Sequence, residues 1–120
     1  MSLADLPGYA DVKAQYGDCA FGDFTDLKCL SIDTYYEEDR ERFEKIVSFV
    51  LKGKKGQIDV TFGNVRDFRI ASIHQLIGFD VDKISSRGWE SVHYELFDYE
   101  ADKVYGLAEN CRVAVSSVIT

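Results

Sequence analysis

Two histidines are the first candidates for chemistry in this chain, because histidine takes and gives a proton near neutral pH more readily than any other side chain. His74 lies in an apolar run, and His93 lies on a predicted strand. No nucleophile motif accompanies them, since Ser85 and Ser86 lack the flanking glycines of a nucleophile elbow. The phosphate-binding glycine loop is also absent. We therefore expect both histidines to be structural or surface residues, and the chain not to be an enzyme.

Carboxylates and thiols give no metal-binding pattern. Asp80 and Asp82 would point to the same side of a strand, but calcium takes about six to eight oxygen ligands and no calcium-binding loop follows. The three cysteines, Cys19, Cys29 and Cys111, are widely spread and form no CxxC pair. We expect no metal and no cofactor, and we expect buried free thiols, with a Cys19–Cys29 disulfide as the alternative in an oxidising compartment.

Tyrosines stand beside clustered acidic residues in two parts of the chain. The residues are Tyr35, Tyr36, Glu37, Glu38 and Asp39 in the first part, and Asp98, Tyr99, Glu100 and Asp102 in the second. Tyrosine offers rigid contact area with a polar tip, and carboxylates attract a basic surface, so both clusters are candidate partner-binding sites. Each also fits an ordinary solvated turn. On a strand, only one of Tyr35 and Tyr36 can face the core, so the other must lie near the surface.

The charge of the chain favours a basic partner. Its 120 residues hold 21 acidic and 14 basic side chains, a formal net charge of −7. Residues 1–39 carry nine acids and two bases, residues 40–69 four acids and eight bases, and residues 70–120 eight acids and four bases. This balance argues against direct binding of nucleic acid or of an anionic membrane. No long apolar run and no signal-peptide pattern is present, so we expect a cytoplasmic protein.

Of the elements that must position these residues, the first along the chain is a predicted short helix. Apolar residues recur at helical spacing from Leu6 to Tyr16, and the helix should end near Gly17. A strand is predicted over 27–36. Residues 37–52 fit either an amphipathic helix with an acidic first turn or one strand of a hairpin. We favour the hairpin, with a four-residue turn at 53–56 and a partner strand over 58–62.

The second half of the chain alternates apolar and polar residues more plainly. Strands are predicted over 79–84, 91–97, 104–107 and 111–115, with a shorter element starting near Val65. The chain has no repeat, no low-complexity tract and one proline, which indicates a single domain over 1–120. The expected fold is mainly β or α+β, a small antiparallel sheet or sandwich with one or two short helices.

A run of features along the chain resembles a known group of proteins. These features are the segment 58–70, Gly88-Trp89-Glu90 with the strand after it, the turn Asp98-Tyr99-Glu100, and a last strand opened by Cys111. They are similar to small acidic immunity proteins of bacterial polymorphic toxin and contact-dependent inhibition systems. The resemblance implies a cytoplasmic protein that binds and neutralises a cognate basic, nuclease-like toxin through an acidic, tyrosine-rich face. The alternative is a small β-rich ligand- or peptide-binding module without catalytic activity, and an exposed edge strand would also allow a homodimer.

Overall fold

The computed structural model describes residues 2–71, 78–84, 93–100 and 103–116. They form one α-helix, two short 3-10 turns and eight strands. The helix is α1 (Tyr9–Tyr16), and the 3-10 turns are Leu3–Asp5 and Phe21–Asp23. The strands are β1 (Asp26–Glu37), β2 (Arg42–Gly53), β3 (Gly56–Gly63), β4 (Arg66–Ile70), β5 (Phe79–Lys83), β6 (Tyr94–Asp98), β7 (Val104–Ala108) and β8 (Asn110–Val115).

The strands form two four-stranded antiparallel sheets that share one core. The first sheet has the order β1-β2-β3-β8, and the second has the order β4-β7-β6-β5. Aromatic rings fill the space between them: Phe49 of β2 lies with its centroid 5.5 Å from Phe79 of β5 and 6.2 Å from Phe68 of β4. The predicted fold class, a mainly β domain with antiparallel sheets and a short helix, is confirmed.

The hairpin interpretation of residues 37–52 is confirmed, and the helix alternative is wrong. β2 pairs with β1 on one side and with β3 on the other, which satisfies backbone groups that a helix would have paired internally. The β2–β3 ladder closes at Gly53 opposite Gly56, so the turn has Lys54 and Lys55 as its two loop residues instead of four. Alternate residues of β3 are buried, as predicted for Ile58, Val60 and Phe62.

The N-terminal segment covers one edge of the first sheet. Helix α1 ends at Gly17 as predicted, and Val12 is fully buried. The Val113 N–H of β8 donates to the carbonyl oxygen of Pro7 at 2.9 Å, and the Tyr16 hydroxyl donates to the Gln57 carbonyl oxygen at 2.9 Å. The outer edge of β8 is therefore partly paired by chain that precedes the helix.

Several predictions are corrected or lie outside the described residues. All three cysteines are free, but only Cys111 is buried, whereas Cys29 is exposed on β1 and Cys19 is half-buried. The prediction of three buried thiols was therefore wrong for Cys29, because β1 is an edge strand whose side chains are largely uncovered. His74, the serine pair at 85–86, Trp89 and Asp102 fall in the part of the chain that is not described.

Candidate partner-binding surface

The β1–β2 hairpin is longer than the sheet to which it belongs. Strand β3 follows β2 only as far as the pair Val47–Phe62, whereas β1 and β2 remain paired as far as Glu37–Arg42. Residues 33–46 therefore project as a two-stranded ribbon beyond the ladder of the third strand, and the Val65 N–H after β3 donates to the Lys45 carbonyl oxygen at their root, at 2.9 Å. We call this segment the arm.

Large apolar side chains are exposed on the arm and at its root. Among the described residues, the large hydrophobic side chains with high exposure are Ile32 (49%), Tyr35 (40%), Tyr36 (51%), Phe43 (72%) and Tyr99 (65%). Four of these five lie on or beside the arm. Tyr36 and Phe43 are cross-strand partners whose ring centroids lie 5.2 Å apart in an edge-to-face arrangement. Their face is the outward continuation of the core face of β2, which carries Val47 and Phe49.

Both tyrosines of the first predicted cluster are exposed, which agrees with the expectation that at most one of them can face the core and goes beyond it. The alternation of the strand is intact, because Tyr36 pairs with Phe43 on one face and Tyr35 pairs with Glu44 on the other. The core, however, ends before these residues are reached. An alternating pattern predicts which residues share a face, but it does not predict where the covering layer stops.

A cluster of ion pairs fixes the arm to the loop between β7 and β8. Arg40 binds Glu109 in a bidentate pair, with Nη1–Oε2 at 2.7 Å and Nη2–Oε1 at 2.8 Å. Asn64 Nδ2 donates to the same carboxylate at 2.8 Å. Glu44 is buried, accepts a hydrogen bond from Tyr35 Oη at 2.8 Å, and lies 3.3 Å from Arg40. We call Arg40, Arg42, Glu44, Asn64 and Glu109 the clamp.

The clamp changes the acidity of its members. The Arg40 guanidinium, with the Asn64 amide, lowers the pKa of Glu109 from 4.5 to about 2, and the carboxylate in turn raises the pKa of Arg40. The hydrogen bond that the Tyr35 hydroxyl donates to Glu44 raises the pKa of Tyr35. Sequence reasoning missed the clamp, because Arg40 and Glu109 are 69 residues apart and neither lies in a recognisable motif.

The outward charge of the arm is acidic. Arg40 and Arg42 turn toward Glu44 and Glu109, so their charge is offset within the molecule. The exposed acidic side chains of the arm and its turn are Asp33, Glu38, Asp39 and Glu41, with Glu37 half-buried. The exposed bases are Lys45 and the ion-paired Arg40. The acidic turn at 38–41 therefore adjoins Tyr36 and Phe43 at the outer end of the arm, whereas Lys45 shares the face of those two rings.

The second predicted cluster is at the opposite end of the sandwich. The first residue of β6, Tyr94, pairs with Ala108, which precedes the clamp residue Glu109. The last residue, Asp98, is buried and accepts hydrogen bonds from the backbone N–H groups of Glu100 (3.0 Å) and Lys103 (3.3 Å). Asp98 therefore holds the turn and is not the exposed charge that was predicted.

Tyr99 and Glu100 are exposed at that turn, but they do not form one surface with the arm. A shallow cleft of about 350 Å³ lies beside Tyr99 and is lined by Leu3, Phe21, Phe79 and Asp80. In the described part of the chain, no group of three or more His, Cys, Asp or Glu side chains is placed to hold a metal ion.

Comparison of the chain with family models, with curated proteins and with solved structures found no match. Within the described residues, none of the helical segments has the length and apolar character needed to cross a membrane.

Proposed function

We propose that this protein is an immunity-type inhibitor that binds a cognate basic, nuclease-like toxin domain in the cytoplasm and neutralises it. The arm is the binding element. The observation that carries the proposal is that four of the five large hydrophobic side chains exposed among the described residues gather on or beside a projecting ribbon. The net charge of that ribbon outside the clamp is acidic. An exposed apolar patch rimmed by charge is typical of a protein-binding surface.

The two kinds of side chain have different roles in the proposed complex. Glu38, Asp39 and Glu41 attract a basic surface from a distance and accelerate association. Tyr36 and Phe43 then lose their exposure to water on contact, and burying a side chain of the size of phenylalanine is worth about 1.5–3 kcal/mol. A toxin whose nucleic-acid site is basic would be blocked by an acidic arm lying on or beside that site.

The clamp supports this role because it holds the arm in one orientation before the partner arrives. A recognition element that is ordered in the free protein loses less conformational freedom on binding. The bidentate Arg40–Glu109 pair joins the arm to the β7–β8 loop, and Asn64 holds the same carboxylate.

The test is co-expression with the product of the neighbouring upstream reading frame, scored by rescue of growth and by co-purification at low and high salt. We expect rescue and a one-to-one complex that high salt weakens. Tyr36→Ala and Phe43→Ala should each weaken the complex by roughly tenfold or more, as expected for aromatic anchors. Tyr99→Ala is the matched control, since the exposure of Tyr99 lies between those of Tyr36 and Phe43 but the residue is at the other end of the molecule.

The proposal fails if the neighbouring product is not toxic and forms no complex. The assignment to the arm fails if Tyr99→Ala weakens the complex as much as Tyr36→Ala does.

The cleft beside Tyr99 favours a second candidate function, a ligand-binding module without catalytic activity. Its volume of about 350 Å³ is at the lower limit for a small-molecule site. A metabolite screen by thermal shift tests it, because a ligand that binds only the folded state raises the unfolding temperature.

A further inference from the structure

The outer edge of β1 is long and has no strand beside it among the described residues. Strand β1 has 12 residues and lies at the end of the first sheet, with β2 on one side and no described strand on the other. All side chains from Ser31 to Tyr36 are exposed, so neither face of this stretch is covered. The other edge of the same sheet differs, since Pro7 pairs with Val113 there.

A free edge presents backbone N–H and C=O groups at alternate residues, ready to pair with another strand. The pairing of β1 with β2 is interrupted once, between Leu27 and Cys29, and is regular from Cys29 to Glu37. Nine consecutive residues therefore have the straight ladder geometry that an added strand requires. Proteins bind extended segments in this way, with affinity from main-chain hydrogen bonds and specificity from alternate side chains.

We infer that the outer edge of β1 is a docking edge for an extended partner segment in which basic and apolar residues alternate. This inference rests on the proposed function and names the partner segment that the arm would recognise. The segment would add to the first sheet as a fifth strand.

The expected alternation of basic and apolar residues in the partner segment follows from the two faces of β1. Asp33, Tyr35 and Glu37 lie on one face, and Ile32, Thr34 and Tyr36 lie on the other. Residues directly opposite each other in an antiparallel pair share a face, and opposite charges or apolar partners stabilise the pair. A lysine or arginine is thus favoured beside Asp33 and Glu37, and an apolar residue beside Ile32 and Tyr36.

Charge argues against a second copy of this chain as the occupant. Strand β1 carries Asp26, Asp33 and Glu37 but only one base, Lys28, so two copies side by side would join two strands of net charge −2 each. The acidic turn at 38–41 adds to the repulsion at the end of the pair. A basic segment meets the opposite situation, because Asp33 and Glu37 on the regular part of the strand attract it.

The test uses a nine-residue peptide of alternating lysine and valine, with fluorescence anisotropy of the labelled peptide against the full-length protein. Two further peptides carry N-methyl groups on alternate nitrogens, one on the lysines and one on the valines. Because the lysines must lie beside Asp33 and Glu37 and the valines beside Ile32 and Tyr36, only one of the two alternating sets of peptide N–H groups can point toward β1. The peptide that is methylated on that set should lose binding by on the order of tenfold or more, while the other methylated peptide keeps it. Both have the same charge, so general electrostatic attraction predicts no difference between them.

A pair of protein variants gives an independent readout. Asp33→Lys reverses a charge on β1, and Asp11→Lys makes the same change at an exposed position of α1, which packs against β8 at the far edge. We expect Asp33→Lys to weaken peptide binding by on the order of tenfold and Asp11→Lys to leave it within about twofold.

Equal binding of the two methylated peptides, or equal losses in the two variants, would overturn the docking edge. Growth rescue by the wild-type protein together with either of those results would retain the inhibitor proposal and reject strand addition. Selective peptide binding without growth rescue would retain the docking edge and reject the inhibitor proposal.

Discussion

At the scale of single residues, Glu109 joins the arm to the β7–β8 loop through its ion pair with Arg40. Glu109→Gln removes the charge that binds Arg40 and should lower the free energy of unfolding at pH 7 by about 1 kcal/mol, a value reduced for the exposure of the arginine. The pKa of Glu109 is lowered from 4.5 to about 2 in the folded state. Its contribution is therefore complete above pH 4.5 and is lost as the pH falls toward 2.

Chemical denaturation of the wild type and of Glu109→Gln from pH 7 down to pH 2 measures this difference. The two curves should converge at the acidic end. A gap that stays constant over this range would mean that the carboxylate charge is not what stabilises the arm. Asp18→Asn is the control, since it removes an exposed ion pair with Lys13 at 3.3 Å and should change little.

The cysteines should differ in reactivity according to their burial. Cys29 is exposed on β1, whereas burial raises the pKa of Cys111 to about 12, and only a thiolate attacks an alkylating reagent. Under native conditions at pH 8, iodoacetamide should modify Cys29 first and Cys111 only after denaturant is added. Mass spectrometry of tryptic peptides checks the order. Rapid native modification of Cys111 would mean that the core opens at β8.

At the scale of elements, the turn between β2 and β3 depends on close packing at Gly53. A Cβ atom at this position would overlap the carbonyl oxygen of Asp23 and lie 2.7 Å from its carbonyl carbon. Gly53→Ala must displace backbone and should destabilise the protein by about 1–3 kcal/mol. Gly22→Ala is the matched control because nothing lies within 4 Å of its Cβ position. Equal unfolding midpoints for the two variants would show that the 3-10 turn moves away freely.

Some of the strands could be predicted from the sequence, and others could not. The alternation in Ile58, Val60 and Phe62 correctly predicted a half-buried strand, because that signal is local. The acidic residues at 37–39 resembled the first turn of a helix, although they end β1 and enter a tight turn. Only the pairing of β2 with two neighbours decides between these structures, and strand pairing is not encoded in a short window.

At the scale of the whole molecule, the candidate site depends on how far each strand extends relative to its neighbours. No short sequence pattern contains that information. Tyr35, Tyr36 and the acids after them were found from sequence, since their composition alone is typical of a binding surface. The arm was not, because it exists only where β1 and β2 continue beyond β3. The separation of the two predicted clusters also follows from the arrangement of the strands and not from local sequence. The direction of β6 carries Asp98 and Tyr99 away from the clamp, so two acidic segments that look alike in sequence lie at opposite ends.

Stability and recognition should therefore reside in different parts of one strand. Phe49 and Phe43 both belong to β2, but Phe49 is fully buried between the sheets, with Phe62 at 5.9 Å and Phe79 at 5.5 Å, whereas Phe43 is 72% exposed. Phe49→Ala should cost about 3–5 kcal/mol of unfolding free energy through lost burial and a cavity. Phe43→Ala should remain within about 0.5 kcal/mol of wild type.

Urea denaturation of the two variants, followed by circular dichroism, compares the same chemical change six residues apart in the same strand. A large loss of stability in Phe43→Ala would mean that the arm is part of the cooperative core, and its exposed rings could then not be explained by a partner. A small loss leaves the ring of Phe43 without a role in folding. Its exposure to water is then consistent with the partner contact proposed for the arm.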